Sequence, residues 1–339
     1  MPAAMEFERP IQELETKISE LRNFSQEKGI DLTNEINILE LRAKELRENI
    51  YGNLNAWQKV LIARHSERPN THEYIRRLMT DFIELHGDRC FGDDPAVVGG
   101  IGRFRGRAVT LLGHLKGRDT KENLARNFGM AHPEGYRKAI RLMKQAERFR
   151  RPVICLIDTP GAYPGMGAEE RGQSEAIASS IAVMATLKTP IVTIVIGEGG
   201  SGGALAFGVG DSILMQEHAI YSVISPEGYA SILWKDSSRA REASEAYKIT
   251  AQDLLELGVA DKIIPEPAGG AHRDPGLAAD YLGEALAGAL DGLVAVPVPE
   301  LVALRYEKFR AIGRIIHTTG NSLEGVVDNA ENRFTDQRR

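Results

Sequence analysis

The sequence has 339 residues, of which 42% are apolar, 26% charged and 6% aromatic, a balance typical of a globular protein with a sizeable core. This composition excludes collagen-like and intrinsically disordered chains. The 42 basic and 47 acidic residues leave a formal net charge of −5, which is too near neutral to indicate that the whole chain binds nucleic acid.

Cysteine content and the lengths of the apolar runs indicate the compartment. Cys90 and Cys155 are too few for a disulfide framework or a four-cysteine zinc site, which favours a reducing environment. No apolar stretch reaches about 18 residues, and Met1–Arg9 lacks the basic and apolar regions of a signal peptide. We therefore expect a cytoplasmic protein with no membrane-spanning segment.

The first 55 residues predict two amphipathic helices. Apolar residues recur every three or four positions in residues 10–23 and 36–50, and Gly29 separates the two segments. A helical hairpin that packs on its own domain is favoured over an interchain coiled coil, because the heptads are few. We expect the main domain to span residues 56–295, and residues 296–339 to form a helix and a polar tail.

The middle of the chain alternates between strand and helix patterns. The expected strands are 97–104, 108–113, 153–158, 191–196, 212–215 and 261–265, and the expected helices are 134–150, 174–187, 251–257 and 299–312. The apolar runs lack a polar alternate face, which indicates strands that are covered on both sides. The fold class is therefore α/β with a largely parallel sheet. Periodicity alone would predict that this sheet is doubly wound.

A glycine run, Gly197–Gly203, places five glycines in seven positions between an apolar strand and a helix. It fits the dinucleotide-binding pattern G-x-G-x-x-G, but the helix that follows has only about two turns, too few to cross back to a parallel neighbour. A Walker loop is excluded because no Gly-Lys-Ser/Thr occurs. Tight packing on the sheet explains one or two of the glycines. The remaining glycines favour a binding site for a negatively charged or polarised oxygen, formed by free N–H groups at the start of a helix.

A second loop, Asp158–Gly165, follows another apolar strand and is predicted to have a fixed conformation. Two prolines and two glycines make it rigid rather than a linker, and it follows the same ends of the strands as the glycine run. We therefore expect both loops to line one crevice. Asp158 could act as a base, a metal ligand or a turn-former, and an Asp before Thr-Pro is most often a turn-former.

No catalytic triad or metal cluster is evident. Ser201 lies among glycines but has no obvious histidine partner. The eight histidines are scattered singly, at positions 65, 72, 86, 114, 132, 218, 272 and 317. Catalysis is therefore expected to rely on backbone donors that polarise an oxygen.

Basic residues concentrate in Gly102–Arg151, where 14 Lys and Arg face four acidic residues and give a local charge of +10. A solvated helix face accounts for part of this excess. The remainder favours an anionic ligand or an acidic partner. Nucleic acid is the less favoured ligand, because no aromatic residues interleave with the basic ones.

The two loops belong to a longer series of short segments with a recognisable pattern. The series is Ala56–Trp57, Ala63–His65, Lys116–Arg118, Asn127–Met130, Pro133–Lys138, Asp158–Gly165, Arg171–Ala176, Gly197–Ala204, Ser225–Gly228 and Gly269–Arg273. On these segments the chain closely resembles the α subunits of bacterial acetyl-CoA carboxylase carboxyltransferases, from about Phe7 to Gly313.

This resemblance implies a crotonase-type spiral of ββα units with an N-terminal helical extension, in place of the doubly wound sheet. It implies transfer of a carboxyl group from carboxybiotin, which a biotin carboxyl carrier protein presents, to acetyl-CoA, giving malonyl-CoA for fatty acid biosynthesis. The expected partners are a β subunit of the same fold in an α2β2 heterotetramer, the carrier protein and biotin carboxylase. No covalent cofactor or metal is expected on this chain, since the family's zinc ribbon belongs to β.

The resemblance also implies residue roles. The N–H groups of Gly202 and Gly203 would hold the ureido oxygen of biotin, while β would supply a second oxyanion hole for the thioester enolate. The biotin anion would then accept the α-proton, so that no protein base is required. The remaining residues assigned to substrate binding are Gly161, Ala162, Tyr163, Gly199, Gly200, Lys116, Arg118, Arg137 and Lys138.

One expectation concerns Gly203 alone: the fold should tolerate a side chain there far better than catalysis does. Two other classes of function stay open at this point. A self-sufficient crotonase-type hydratase or hydrolase would use Glu198 or Glu227 on its substrate, and a non-catalytic scaffold would not need the glycine run.

Overall fold

One mixed sheet of eight strands lies at the centre of the computed structural model, which describes residues 5–313. The strands are β1 Met79–Glu84, β2 Val97–Phe104, β3 Arg107–His114, β4 Val153–Thr159, β5 Ile191–Gly200, β6 Ser212–Gln216, β7 Ile220–Ser222 and β8 Lys262–Ile264. Their order is β1-β2-β3-β4-β5-β6-β8, and β7 pairs with the end of β5. The first three strands are antiparallel, and all pairings from β3 to β8 are parallel.

Helices cover both faces of this sheet. They are α1 Arg9–Lys28, α2 Thr33–Gly52, α3 Ala56–Ala63, α4 Thr71–Leu78, α5 Thr120–Ala125, α6 Pro133–Arg148, α7 Met166–Glu170, α8 Gln173–Thr186, α9 Ser201–Leu205, α10 Pro226–Trp234, α11 Ala240–Ala246, α12 Ala251–Glu256, α13 Pro275–Val294 and α14 Val298–Ala311. Along β4, Cys155 packs in the core that α6 and α8 share, while its neighbours Ile154 and Leu156 pack in the core under α4 and α13. This alternation buries every residue of β4, as expected for a strand that is covered on both sides.

Most of the predicted elements are confirmed. The turn at Arg105–Gly106 joins β2 and β3 into an antiparallel hairpin, and the predicted strands at 153–158, 191–196 and 212–215 correspond to β4, β5 and β6. The largely parallel α/β class is therefore confirmed. The long helix α13 has no counterpart among the predicted elements. Its sequence contains four glycines, which lower helix propensity, and its stability comes from burying residues such as Leu282 and Leu286 on the sheet.

The N-terminal segment forms the predicted hairpin. Arg22 pairs with Glu40 and Arg47 pairs with Glu15, so α1 and α2 run antiparallel. Gly29 ends α1 with a φ of 64°, a left-handed conformation that glycine adopts without steric cost. The hairpin packs on its own chain through a small core that contains Ile11, Tyr51 and Ile62.

The C-terminal part contains the predicted last helix, α14. The polar tail expected after it lies outside the described residues. Within residues 5–313, no single helix is long and apolar enough to span a membrane. Only α13 and α14 taken together reach the required length and apolarity, and the pair is bent by 118°.

Candidate active site

The glycine run lies at the end of the central strand β5 and continues directly into the short helix α9. All ten residues of β5 are buried, and the chain turns at Ser201, the first residue of α9, which has a φ of 56°. The N–H groups of the first helical turn, which include those of Gly202 and Gly203, have no acceptor inside the helix. The predicted helix start therefore lies at this end of β5.

The second loop packs against this turn, so the two loops meet at the same ends of the strands, as expected. A Cβ on Gly200 would lie 2.1 Å from the carbonyl oxygen of Pro160. A Cβ on Gly203 would lie 2.5 Å from the carbonyl carbon of Gly161 and 2.6 Å from the nitrogen of Ala162. Such distances leave no room for a side chain, so the two backbones touch directly.

These contacts correct two expectations about the glycines. Close neighbours account for four of the five, because a Cβ on Gly197 or Gly199 would also come within 3 Å of another side chain. The excess of glycine is therefore mostly a packing requirement. The expectation that the fold tolerates a side chain at Gly203 is wrong for the same reason. Gly202 alone has room, since its Cβ would meet Ile177 at 3.5 Å, an ordinary contact distance.

The second loop itself is held by its own hydrogen bonds. The hydroxyl of Thr159 donates to the Gly161 carbonyl oxygen and accepts from the Gly161 N–H. The Tyr163 N–H donates to the Ala131 carbonyl oxygen at 3.0 Å, and the Tyr163 ring packs on His132 with ring centroids 4.1 Å apart. The N–H groups of Gly161 and Tyr163 therefore already donate hydrogen bonds. The N–H groups in the first turn of α9 have no acceptor within the helix.

A cluster of five charged side chains lies beneath the site. Lys116 Nζ lies 2.9 Å from Asp158 and 3.1 Å from Glu198. Arg64 contacts Glu198 at 2.8 Å and both carboxylate oxygens of Glu227, at 2.7 and 3.2 Å. Asp158 also accepts the Glu198 N–H at 3.1 Å, which joins the ends of β4 and β5. Three carboxylates and two cations thus connect α3, α10 and the two strands.

The cluster determines what its members can do chemically. Burial raises the pKa of Glu198, but the charges of Lys116 and Arg64 outweigh it and hold that pKa below its usual value. Partial burial raises the pKa of Glu227, but the hydrogen bond and charge of Arg64 together with other hydrogen bonds outweigh it and lower that pKa. The pKa of Lys116 is raised, because its two carboxylate partners outweigh burial. Both glutamates are therefore ionised structural partners rather than bases of raised pKa, and the ammonium of Lys116 is engaged inside the protein.

The other basic residues assigned to substrate lie apart from one another. Lys138 is only 1% exposed and contacts Asp93 at 2.6 Å, and Arg137 contacts Asp88 at 2.8 Å. Lys138 is therefore buried and Arg137 is partly buried, and each is paired with an acidic residue of the chain. Arg118, by contrast, is 52% exposed. The basic stretch does not form one surface, since its early arginines pair with Asp81, Glu284 and Asp291 elsewhere on the molecule.

Arg118 lines an open groove of about 310 Å³ together with Arg76 and Arg126. Its guanidinium pairs with Glu73, a largely buried carboxylate that also contacts Arg76 at 2.6 Å and Arg77 at 2.9 Å. The groove is lined by three arginines against two glutamates, Glu73 and Glu122, so one positive charge in it is unmatched. Of the four basic residues assigned to substrate, Arg118 is the one whose charge is available to an external anion.

Two residues beside the site had no predicted role. Arg64 bridges Glu198 and Glu227, and its only sequence signal was its place in the segment Ala63–His65. His114 ends β3 and is fully buried against Phe207, with ring centroids 4.5 Å apart, and its ring lies beside the backbone of Gly203 and Leu156. Burial, with a contribution from the charge of Lys116, lowers the pKa of His114 to about 3. Its ring is therefore neutral at physiological pH.

Metal ligation has no candidate in the described part of the chain, where no group of three or more His, Cys, Asp or Glu side chains is arranged to hold an ion. Asp158, which the sequence left open as a base, a ligand or a turn-former, instead pairs with Lys116 and accepts a backbone N–H. The chemistry that this site offers is therefore hydrogen-bond donation from backbone amides. The cluster of charged side chains supports the strand ends that carry these amides.

Comparison with solved structures establishes the fold. A chain of transcarboxylase 12S, whose structure holds methylmalonyl-coenzyme A and methylmalonic acid, matches 80% of this chain with a TM-score of 0.55 and 16% identity. This chain spans about half of that protein, 48%. A chain of a Pseudomonas malonate decarboxylase hetero-tetramer in complex with coenzyme A matches 63% of this chain and 86% of its own length, with a TM-score of 0.53 and 17% identity. The crotonase-type α/β fold implied by the resemblance is thereby confirmed.

Sequence relatives establish the family. Acetyl-coenzyme A carboxylase carboxyl transferase subunit alpha of Halalkalibacterium halodurans is 60% identical over 317 residues, which are 94% of this chain and 98% of the relative. The subunit of the same name from Heliobacterium modesticaldum is 59% identical over 92% of this chain and 93% of the relative. The family model described as acetyl co-enzyme A carboxylase carboxyltransferase-like matches residues 4–313. The chain therefore belongs to the family of bacterial acetyl-CoA carboxylase carboxyltransferase α subunits.

Proposed function

We propose that this chain transfers a carboxyl group from carboxybiotin, carried by a biotin carboxyl carrier protein, to acetyl-CoA, and that it does so only with a β subunit. The proposal rests on the family and on one observation: the first turn of α9 opens at the end of a buried strand, directly against the Gly161–Ala162 backbone. Donors fixed in this way need little reorganisation when negative charge develops on a substrate oxygen.

The N–H groups of Gly202 and Gly203 are the proposed donors to the ureido oxygen of biotin. Loss of CO2 from carboxybiotin leaves negative charge on that oxygen, and each well-placed donor contributes about 10²- to 10³-fold to such a step. Helix α9 adds the partial positive charge of its N-terminus. Gly200 and Gly203 bring the backbone close to Pro160–Ala162, which with Tyr163 would form the opposite wall, while Gly199 packs against the ring of Tyr221.

Proton transfer needs no base from this chain in the proposed reaction. The biotin anion that remains after decarboxylation is basic enough to accept the α-proton of acetyl-CoA, and the enolate then attacks CO2 to give malonyl-CoA. Glu198 and Glu227 are held as ionised partners of Arg64, which agrees with a supporting role. Lys116 would act in the same way, by fixing the ends of β4 and β5.

The second half of the site is assigned to the partner. A β subunit of the same fold would hold the thioester oxygen of acetyl-CoA in its own oxyanion hole, within an α2β2 heterotetramer, and would carry the zinc ribbon. Biotin carboxylase would recharge the carrier. Arg118, which remains exposed, is the proposed contact for the phosphates of CoA or for the acidic carrier protein.

Reconstitution tests the proposal. The purified chain is mixed with its cognate β subunit and carboxylated carrier, and malonyl-CoA formation is measured; each subunit alone serves as the control. We expect activity only in the mixture, because this chain holds one donor set and no base of raised pKa. Robust transfer by this chain alone, or hydration or thioester hydrolysis of acyl-CoA by it, would contradict the proposal and favour a self-sufficient enzyme.

A further inference from the structure

Three consecutive residues beside the site adopt a left-handed backbone. Asn127, Phe128 and Gly129 have φ angles of 49°, 55° and 75°, and the ψ of Phe128 is 28°. Glycine adopts this conformation freely and asparagine tolerates it, but a bulky aromatic residue does so at a cost in free energy. Strain of this kind persists only where surrounding contacts impose it, and it concentrates at functional sites.

The contacts that impose it tie the turn to the site. A Cβ on Gly129 would lie 2.7 Å from Lys116 Cγ and 3.2 Å from the Asp158 carbonyl oxygen, so this backbone lies directly on the charged cluster. Two residues later, the Ala131 carbonyl oxygen accepts hydrogen bonds from the Tyr163 N–H and from Gln173 Nε2, at 3.0 and 2.8 Å. The turn is therefore anchored to the loop that packs on Gly203.

The ring of Phe128 gains little from this arrangement within its own chain. It is 45% exposed although it is large and apolar, and its backbone strain is not offset by burial. A residue that is held in a strained conformation, at the rim of a site and with its ring half in solvent, is arranged to contact something outside the chain.

We infer that Phe128 is an apolar contact for the biotinyl group, an inference that rests on the proposed function. The ureido oxygen of that group would lie at Gly202 and Gly203, and the Gly161–Ala162 backbone that touches Gly203 is bridged to Ala131, three residues from Phe128. The rest of the group is a thioether ring and a hydrocarbon chain, which require apolar surface. The phosphates of the other substrate require cations such as Arg118, and the separate KM values for biotin and malonyl-CoA distinguish the two substrates.

The test runs the reaction in reverse with free biotin as the probe. The reconstituted complex takes malonyl-CoA and biotin to acetyl-CoA and carboxybiotin: the carboxyl carbon leaves the malonyl group for a ureido nitrogen, and the proton of that nitrogen moves to the α-carbon. KM for biotin and for malonyl-CoA is measured for wild type, Phe128→Ala and Phe128→Gly. Leu124→Ala is the matched control, since Leu124 is 62% exposed on the neighbouring helix α5.

We expect KM for biotin to rise about three- to tenfold in both Phe128 variants, because the exposed part of the ring supplies the contact. KM for malonyl-CoA should stay within twofold, and Leu124→Ala should resemble wild type. Phe128→Gly should also raise the thermal midpoint, because glycine removes the strain. A gain in stability together with a loss of biotin affinity is a combination that a purely structural role would not produce.

The other outcomes separate the inference from the proposed function. If the wild-type complex transfers no carboxyl group, the proposed function fails. If the wild-type complex is active but KM for biotin is unchanged in both Phe128 variants, the inference is overturned and the function stands. A rise in KM for malonyl-CoA alone, or loss of β assembly on size-exclusion chromatography, also overturns the inference, because Phe128 would then contact CoA or the partner.

Discussion

The contact between Gly203 and the Gly161–Ala162 backbone makes a quantitative prediction for Gly203→Ala. The added Cβ would lie 2.5 Å from a backbone carbon, whereas ordinary contacts begin at 3.4 Å, so α9 and the loop must separate by about 1 Å. A displacement of that size at a reacting group costs about 100-fold in rate. Overpacking of a tight backbone contact costs about 1–3 kcal/mol of stability. We therefore expect both kcat and the thermal midpoint to fall.

The comparison variant is Gly202→Ala, which adds the same methyl group one residue earlier. There the Cβ meets Ile177 at 3.5 Å without overlap, so the unfolding midpoint should stay close to that of wild type. The fall in kcat should be at least tenfold smaller than in Gly203→Ala. The assays are malonyl-CoA formation with saturating carboxylated carrier, thermal unfolding and size-exclusion chromatography of the complex with β. A Gly203→Ala protein with a wild-type midpoint and wild-type kcat would refute the packing argument and the assignment of the crevice together.

Other regions make predictions of their own. Glu198→Gln removes one carboxylate partner from Lys116 and from Arg64, which keep Asp158 and Glu227, so the unfolding free energy from urea titration should fall by about 2 kcal/mol, and an unchanged midpoint would contradict the ion-pair assignment. The folded-state pKa of His114 is about 3 against 6.5 in the unfolded chain, so the unfolded state takes up the proton first as pH falls. This residue alone should remove about 2 kcal/mol of stability between pH 7 and pH 5, and His114→Gln should flatten the pH profile by that amount; an equal slope in both proteins would be evidence against the buried neutral ring. Arg118→Glu should raise KM for acetyl-CoA at low salt more than at high salt, and an effect independent of salt would point to packing instead.

The basic stretch shows how a correct count can lead to a wrong grouping. Residues 102–151 do carry a charge of +10, but the structure distributes them over a hairpin, two helices and several loops that face different ways. Lys138 lies in a buried ion pair, while Arg118 is exposed. The sequence shows only how many Lys and Arg residues are present. Whether each is matched depends on acidic residues such as Asp93 and Glu73, which come from other parts of the chain.

The sequence by itself determined the family and, in the described part of the chain, six of the eight strands and half of the α-helices. Apolar runs predicted β4, β5 and β6 because strands that are covered on both faces need apolar side chains at every position. Apolar segments at 97–104 and 108–113 predicted β2 and β3, and the spacing of apolar residues predicted α1, α2, α6 and α8. Helix α13 was missed because its stability comes from burial on the sheet and not from its glycine-containing sequence. Family-typical segments such as Gly197–Ala204 carried the resemblance that the comparisons confirm.

Only the tertiary structure decided which residues meet. It brought Arg64, Lys116, Asp158 and Glu198 into one cluster, although they are separated by up to 134 positions in the chain. It also showed that four glycines of the run are required by neighbouring backbone or side chains, and that Phe128 is held in a left-handed turn beside them. The physical reason is that periodicity and composition report the local backbone and the side that is buried. Contacts between distant segments are set by how the sheet and its helices pack, which no short pattern records.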